Sequence, residues 1–420
     1  MAPSRKNIVI LGGSYGGLSV AHYTLKHVIP QTPNKEAFRV ILISTSSQVF
    51  CRPACPRAML SDGMFPQDKL FADIEAQFQY AGDGNFQFIK GTAMHLNHAQ
   101  HTVTIKLEST DALQELYFHG LVIATGASTP SPLFGLIKDE IFLRACWSSL
   151  RKALPGAKNI VISGGGPTSI ETAGELGEYL NGRPGTFRSG QSQPRVNITV
   201  ITSNSKVLPT LRQGIADKAE KVLAGVGVTV IKHARVKTVV PAQAGRDLEM
   251  LTSKATVVLE DGKTIDADLY IPATGTTPNT GFISDASLVT ADGRVDTNPS
   301  TLRVDCAGPD ARIYAIGDAS SYARPAIHNI LSAVPSLCAS MKNDLLLGAG
   351  HPKDLSSGGG HGFKEDVRET QLVPIGRGKG VGAAMGFQLP SFLVWLLKGR
   401  DYWLWTTENL WNGKKWNKKS

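Results

Sequence analysis

The sequence predicts an α/β fold made of two similar parallel-sheet units and a smaller C-terminal part, on three observations. One device occurs twice: an apolar strand runs into a glycine-rich turn and a helix, at 7–17 and again at 159–169. Two further apolar runs end in Ala-Thr-Gly, at 124–126 and 273–275, and a third ends in Gly-Asp at 317–318. The 420 residues are 42% hydrophobic and 19% charged, with 43 Gly and 23 Pro, which excludes disorder, collagen and coiled coil as the main architecture. The order of the segments divides the chain into a discontinuous first unit (1–128 and 276–345), a second unit (129–275) and a C-terminal domain with an aromatic and basic tail (346–420).

In the first unit, Asn7–Leu11 reads as a buried strand, Gly12-Gly13-Ser14-Tyr15-Gly16-Gly17 as the turn, and the stretch through Ala21 and Leu25 as the helix. Phe38–Ser44 supplies the second strand; Thr102–Leu107 and Leu121–Ala124 read as further strands. In the second unit Asn159–Ser163 runs into Gly164-Gly165-Gly166-Pro167-Thr168-Ser169 and a helix, with Asn197–Thr202 as its second strand. Val228–Ile231, Ala255–Leu259 and Leu269–Pro272 follow, and Ile313–Ala319 reads as a strand ending in Gly-Asp. Asn181–Pro194, rich in Gly, Ser, Gln, Pro and Arg, reads as a long surface connection, and Ser356–Gly362 as a hinge or linker.

A strand, a glycine turn and a helix open a dinucleotide-binding βαβ unit, so each half is Rossmann-like. The anionic pyrophosphate sits at the helix N-terminus, where unpaired N–H groups and the helix dipole point outward. Glycine lets the backbone turn tightly and approach the phosphates closely. The three fingerprint positions of the first unit are Gly12, Ser14 and Gly17, and those of the second are Gly164, Gly166 and Ser169. Ser14 adds a Cβ at the closest approach and a hydroxyl able to donate to a phosphate. One such motif alone equally fits an ordinary strand-to-helix turn, but two at matching junctions point to two nucleotides.

With these motifs the chain resembles the two-dinucleotide flavoprotein reductases. Within them it is most similar to the apoptosis-inducing-factor family, in particular its AMID and ferroptosis-suppressor branch. The likeness rests on 12–17, on Ala54-Cys55-Pro56-Arg57-Ala58, on 376–382 (Gly-Arg-Gly-Lys-Gly-Val-Gly) and on Lys398-Gly399-Arg400-Asp401. The resemblance implies FAD in the first unit, NADH or NADPH as electron donor in the second, and hydride passed through FAD to a quinone-like acceptor. It implies that Asp318, after Gly317, binds the ribityl chain, that Arg57 contacts FAD and that Ala93 meets the adenine through its backbone. It also implies that Ala124-Thr125-Gly126 and Gly275 mark the crossings between the units. By the same resemblance Glu171 is expected to be the acid beside the nicotinamide, and it is the one candidate catalytic residue. Two alternatives are a flavoprotein acting on a small molecule in a biosynthetic pathway and an NAD(P)H-sensing interaction module.

Two departures stand out. An acid usually ends the second strand and grips the ribose, yet Ser44 holds that place in the first unit and Thr202-Ser203-Asn204-Ser205-Lys206 follows in the second. The missing acid permits NADPH. Lys206 either reads its 2′-phosphate or is a solvated loop lysine. Cys51 and Cys55 lie roughly where disulfide reductases carry redox cysteines, but with three intervening residues rather than four; they read as small, partly buried residues near the flavin. An odd count of five scattered cysteines argues against a secreted disulfide scaffold. No zinc-type spacing appears, and His95, His98 and His101 read as a strand-to-strand turn, so no metal is expected.

The net charge is +9, of which Lys414, Lys415, Lys418 and Lys419 form nearly half, so no nucleic-acid footprint is expected. Five of the six tryptophans lie at 395–416. Phe387–Trp405 is expected to pack on the first unit and residues 406–420 to be exposed, with Trp411, Trp416 and the lysines touching an anionic membrane surface. The longest apolar stretch, Phe392–Leu397, is too short to span a bilayer. The expected location is cytoplasmic, peripheral on a membrane at most.

Overall fold

The structure is a computed structural model and describes residues 5–182, 194–308, 310–352 and 362–418. The proposed linker at 356–362 and the connection at 181–194 lie almost wholly outside these residues. In the first unit, β1 (Lys6–Leu11) leads into α1 (Tyr15–Tyr23), then β2 (Phe38–Ser44) and the short α2 (Cys55–Ala58). β3 (Phe86–Asn97), β4 (Thr102–Leu107), β5 (Leu113–Tyr117) and β6 (Gly120–Ile123) follow. The second unit opens with α3 (Glu140–Ala153), β7 (Asn159–Ser163) and α4 (Pro167–Asn181). It continues with β8 (Asn197–Ile201), α5 (Gln213–Ala224), β9 (Val228–Ile231), β10 (Val236–Val240), β11 (Ala255–Leu259), β12 (Thr264–Ala267) and β13 (Leu269–Pro272). The chain returns to the first unit with β14 (Ile313–Ala315) and α6 (Ile327–Leu347). It ends in β15 (Gln371–Ile375), β16 (Lys379–Ala384), β17 (Phe387–Gln388), α7 (Ser391–Val394) and α8 (Leu404–Trp411).

The first sheet has the order β14-β6-β1-β2-β3-β4-β5, parallel from β14 to β3 and antiparallel beyond. The second is wholly parallel, β9-β8-β7-β13. β1 and β7 are covered on both faces, which is why they read as unbroken apolar runs rather than alternating ones. The strand order of the first sheet reverses at β1 and that of the second at β7, and at these strand ends the two glycine turns emerge. That switch point is where a parallel sheet binds ligands.

The strands and helices lie where the sequence places them, with shifts of a residue or a few at several ends. The strand at 121–124 begins at Gly120 and stops at Ile123, and the strand at 313–319 stops at Ala315. Gly317, at φ +82°, turns the chain out of the sheet before Asp318. His98 and His101 flank the turn between β3 and β4, while His95 lies inside β3.

The C-terminal residues tie the two units together. One apolar core joins Phe50, Cys51 and Met59 of the first unit to Trp147, Ile162 and Leu176 of the second and to Val373, Ile375 and Tyr402. β15 lies against α4, where a Cβ on Gly174 would come within 2.9 Å of the Ile375 Cα, so only glycine admits the strand.

The expected exposure of the tail is reversed. Trp411 and Trp416 are buried against α1 and the turn after it, and the exposed apolar side chains instead include Phe387, Phe392, Leu396, Leu397 and Trp405. Tyr15 meets the Trp411 ring edge-on at 4.8 Å and Tyr23 meets Trp416 at 5.7 Å. Three side chains of the first unit reach the carbonyls that end the tail's helical turns: His22 Nε2 to Trp411 O at 2.6 Å, Lys26 Nζ to Gly413 O at 2.6 Å and His27 Nε2 to Trp416 O at 2.7 Å. Carbonyls at a helix C-terminus lack intrahelical partners and attract such donors. Lys414, Lys415 and Lys418 stay exposed, but the indoles expected to enter a membrane are packed inside the protein. No helix among the described residues is long and apolar enough to cross a membrane.

Candidate functional site

The two glycine turns are built alike. Gly12 has φ +114° and Gly164 +126°, and a Cβ there would lie 2.1 Å from the Ala124 carbonyl oxygen or 2.4 Å from that of Ala273. The Ala-Thr-Gly runs therefore wall the turns, and only glycine fits between. A Cβ on Gly17 would strike the Gly12 carbonyl oxygen at 1.8 Å, so the helix start lies directly on the strand end. In the second unit Ser169 occupies that place, fully buried, with its hydroxyl unpaired.

The middle positions differ in the way a phosphate cradle requires. Nothing lies within 4 Å of a Cβ built on Gly166, and Ser14 is exposed with no cap bond from its hydroxyl. Both helix starts thus present open space and unpaired N–H groups, which fits a pyrophosphate in each. Gly126 and Gly275, with positive φ, also face open space. The crossings they mark are laced together: Thr125 Oγ1 donates to Asn279 O at 2.8 Å and Asn279 Nδ2 to Thr125 O at 2.9 Å. Thr125 therefore uses its hydroxyl on the crossing. Gly13 and Gly16 complete the first loop, while the buried Tyr15 hydroxyl turns inward to Cys51 Sγ at 3.5 Å. Thr168 is half-buried on the first turn of α4, next to Gly165 and Gly166. Ala93 is half-buried on β3, three residues beyond Lys90, the last parallel partner of β2.

Asp318 leaves the sheet half-exposed, and the arginine beside it is Arg52, whose Nη1 lies 3.8 Å from Oδ2. Arg52 is held by the carbonyls of Phe134 at 3.0 Å and Ala127 at 3.1 Å. Arg57, expected to contact FAD, instead has all five N–H donors engaged elsewhere. Nε and Nη2 clasp Glu175 at 3.0 and 2.7 Å, Nη1 meets the Gly399 and Arg400 carbonyls, and Nη2 also meets Gly376 O. The guanidinium is buried between units with its N–H donors taken up inside the protein, so Arg57 clasps α4 to the C-terminal segment.

Glu171 lies buried on the second turn of α4, and Lys398 Nζ donates to its Oε1 at 2.5 Å and to Leu372 O at 3.1 Å. One turn on, Glu175 accepts from Arg57 and from the Tyr402 hydroxyl at 3.0 Å. Burial raises the Glu171 carboxyl to about 7, against the pull of the Lys398 ammonium, and the Glu175 charge adds to the rise. Lys398 was legible as part of a family stretch, but nothing in the sequence paired it with a residue 227 positions away.

Cys51 and Cys55 are free and fully buried. Burial pushes the Cys51 thiol up to about 11 and Cys55 higher still, so both stay neutral. A neutral thiol is a poor nucleophile. Lys206 donates to the Leu211 carbonyl. Thr202, at the exit of β8, is buried against Gly165.

Comparison with known proteins agrees with this geometry. The family profile described as pyridine nucleotide-disulphide oxidoreductase matches residues 6–336. The chain is 59% identical over 419 residues to oxidoreductase phnG of Penicillium herquei, covering 100% of this chain and 99% of that one. It is 25% identical over 404 residues to ferroptosis suppressor protein 1 of Xenopus tropicalis, covering 94% and 92%. The solved structure of a NAD-dependent persulfide reductase from A. fulgidus superposes with a TM-score of 0.64 at 19% identity over 90% of this chain; the match spans 63% of that longer chain, under two thirds of it.

Proposed function

This chain belongs to the pyridine nucleotide-disulphide oxidoreductase family, whose cofactors are FAD and NAD(P)H, and from that premise we propose that it passes electrons from NAD(P)H to a quinone-like ring. The observation that carries this reading is the buried Glu171–Lys398 pair at the meeting of α4 and the C-terminal segment. Reducing a quinone takes a hydride and a proton. FAD, when bound, would supply the hydride relay between nicotinamide and acceptor. The protein's part is to align the rings, exclude water and hold a proton near neutrality. Glu171, oriented by the Lys398 ammonium, is the group that holds that proton.

The residues around the first cradle divide the work. The Gly12–Gly17 turn takes the FAD pyrophosphate, Asp318 the ribityl hydroxyls, and Arg52 neutralises Asp318 from the crossing side. The Gly164–Gly166 turn and Thr168 take the nucleotide of NAD(P)H. The lack of an acid after β8 leaves room for a 2′-phosphate, and Lys206 would have to leave Leu211 to reach one. The neutral thiols of Cys51 and Cys55 support direct transfer from flavin to a small acceptor over a dithiol relay. A second reading is reduction of a small molecule in a biosynthetic sequence, supported by the 59% identity to a relative named only as an oxidoreductase.

The deciding experiment is a stopped-flow acceptor panel on the FAD-loaded protein, with NADH and NADPH as donors. Reoxidation by quinones faster than by dioxygen or by aromatic disulfides is the expected result. Reoxidation by a disulfide alone would overturn the quinone reading.

A further inference from the structure

The adenosine end of the first cradle lacks the strand-end acid that grips a ribose, yet a carboxylate reaches the same sheet edge from another element. β2 ends at Ser44, whose register partner on β3 is Lys90. Two residues on, Ser46 is buried, and its hydroxyl donates to Glu140 Oε2 at 2.6 Å. Glu140 is the first residue of α3, in the segment that follows the crossing into the second unit. Two more contacts fasten that segment to the sheet edge: Thr45 Oγ1 donates to Lys138 O at 2.9 Å, and Lys90 Nζ pairs with Asp139 Oδ2 at 3.0 Å. Asp139 also caps the helix by accepting from Phe142 N at 3.0 Å, so its orientation is fixed. Glu140 is half-buried; Ser46 holds Oε2, and Oε1 has no partner among the described residues.

We infer that Glu140 replaces the missing strand-end acid and grips the adenosine ribose hydroxyls of FAD, with Ser46 holding it at the edge of the cradle. The alternatives at this edge do not serve. The Ser44 hydroxyl is a weaker acceptor than a carboxylate. Gly13, against which Ser44 packs at 2.8 Å from an added Cβ, leaves no room for a longer side chain on the loop. Lys90 and Asp139 are engaged with each other. The glycine turn and Asp318 hold the other parts of FAD, so Glu140 acts on the ribose alone.

The inference rests on FAD occupying the first cradle, and its test separates the two. Apoprotein is titrated with FAD and with an analogue lacking both hydroxyls of the adenosine ribose, following flavin fluorescence. Wild type should prefer FAD by roughly tenfold or more, the discrimination a charged hydrogen bond supports. Glu140→Gln, close in shape, should lower FAD affinity and erase that preference. Glu140→Asp, which keeps the charge and the helix start but shortens the reach, should reduce it in part. Preference retained in Glu140→Gln, or absent from wild type, overturns the assignment of Glu140. Wild type that binds neither flavin overturns the FAD cradle itself.

Discussion

Glu171 is the residue whose chemistry is most exposed to test. A carboxyl held near 7 loses its proton across the neutral range. If its proton reaches the acceptor, kcat with a soluble quinone falls as pH rises through about 7. Glu171→Gln should abolish that inflection between pH 6 and 8 while leaving FAD bound, and a retained inflection assigns it to another group. The Lys398 ammonium holds the Glu171 pKa down against burial, so Lys398→Met should shift the inflection upward. The cysteines give the opposite kind of test. Cys51→Ser with Cys55→Ser should leave quinone reduction within about threefold of wild type, since each thiol is neutral and buried; loss of turnover with FAD still bound would restore a thiol relay. These residues also mark how far the sequence is legible. Gly12, Gly17 and Gly164 were identifiable because a tight turn between strand and helix is a local demand. Arg57 and Arg52 were not separable, because five positions on an irregular segment decide which one faces Glu175 and which one Asp318. Lys398 and Glu140 acquire meaning only through contacts with distant parts of the chain.

At the scale of elements, the tail carries the clearest lesson. Its aromatics and lysines have the composition of a membrane contact, and composition alone does not distinguish an exposed indole from one packed on a helix. The structure puts Trp411 on Tyr15 and Trp416 on Tyr23. Trp411→Ala should therefore lower stability by about 3–5 kcal/mol, the usual cost of removing a large buried aromatic, as read from the urea midpoint. An unchanged midpoint would return the tail to the surface. The docking should also be acid-sensitive. His22 is buried, with its Nε2 on the Trp411 carbonyl and its Nδ1 on the Tyr80 hydroxyl at 2.8 Å. Burial lowers it to about 4, against the favourable bond to Trp411. The unfolded chain then binds the proton more readily than the folded one between about 6.5 and 4, so stability is full above that range and is lost as pH falls through it. The effect is on the order of 3 kcal/mol. His22→Asn should flatten the stability profile between pH 6.5 and 4, and an unaltered slope would assign the acid sensitivity to His119, which burial lowers similarly.

For the whole molecule, the division into two cradles follows from the duplicated strand, turn and helix. Their relative placement follows from contacts that no local pattern encodes. The Thr125–Asn279 lacing closes the crossings, the Arg57–Glu175 clasp joins α2 to α4, and the C-terminal sheet lies over α4 while the last helix lies over α1. Residues 371–416 thus act as a tie-bar, riveted to the second unit at one end and to the first at the other. Braced in this way, the two units should keep their relative placement when the nucleotide binds. Admission of the nicotinamide becomes a matter of side-chain displacement rather than of bending. The radius of gyration from small-angle X-ray scattering should accordingly be the same with and without saturating reduced nicotinamide nucleotide; measurable compaction on adding it would show that the bar yields.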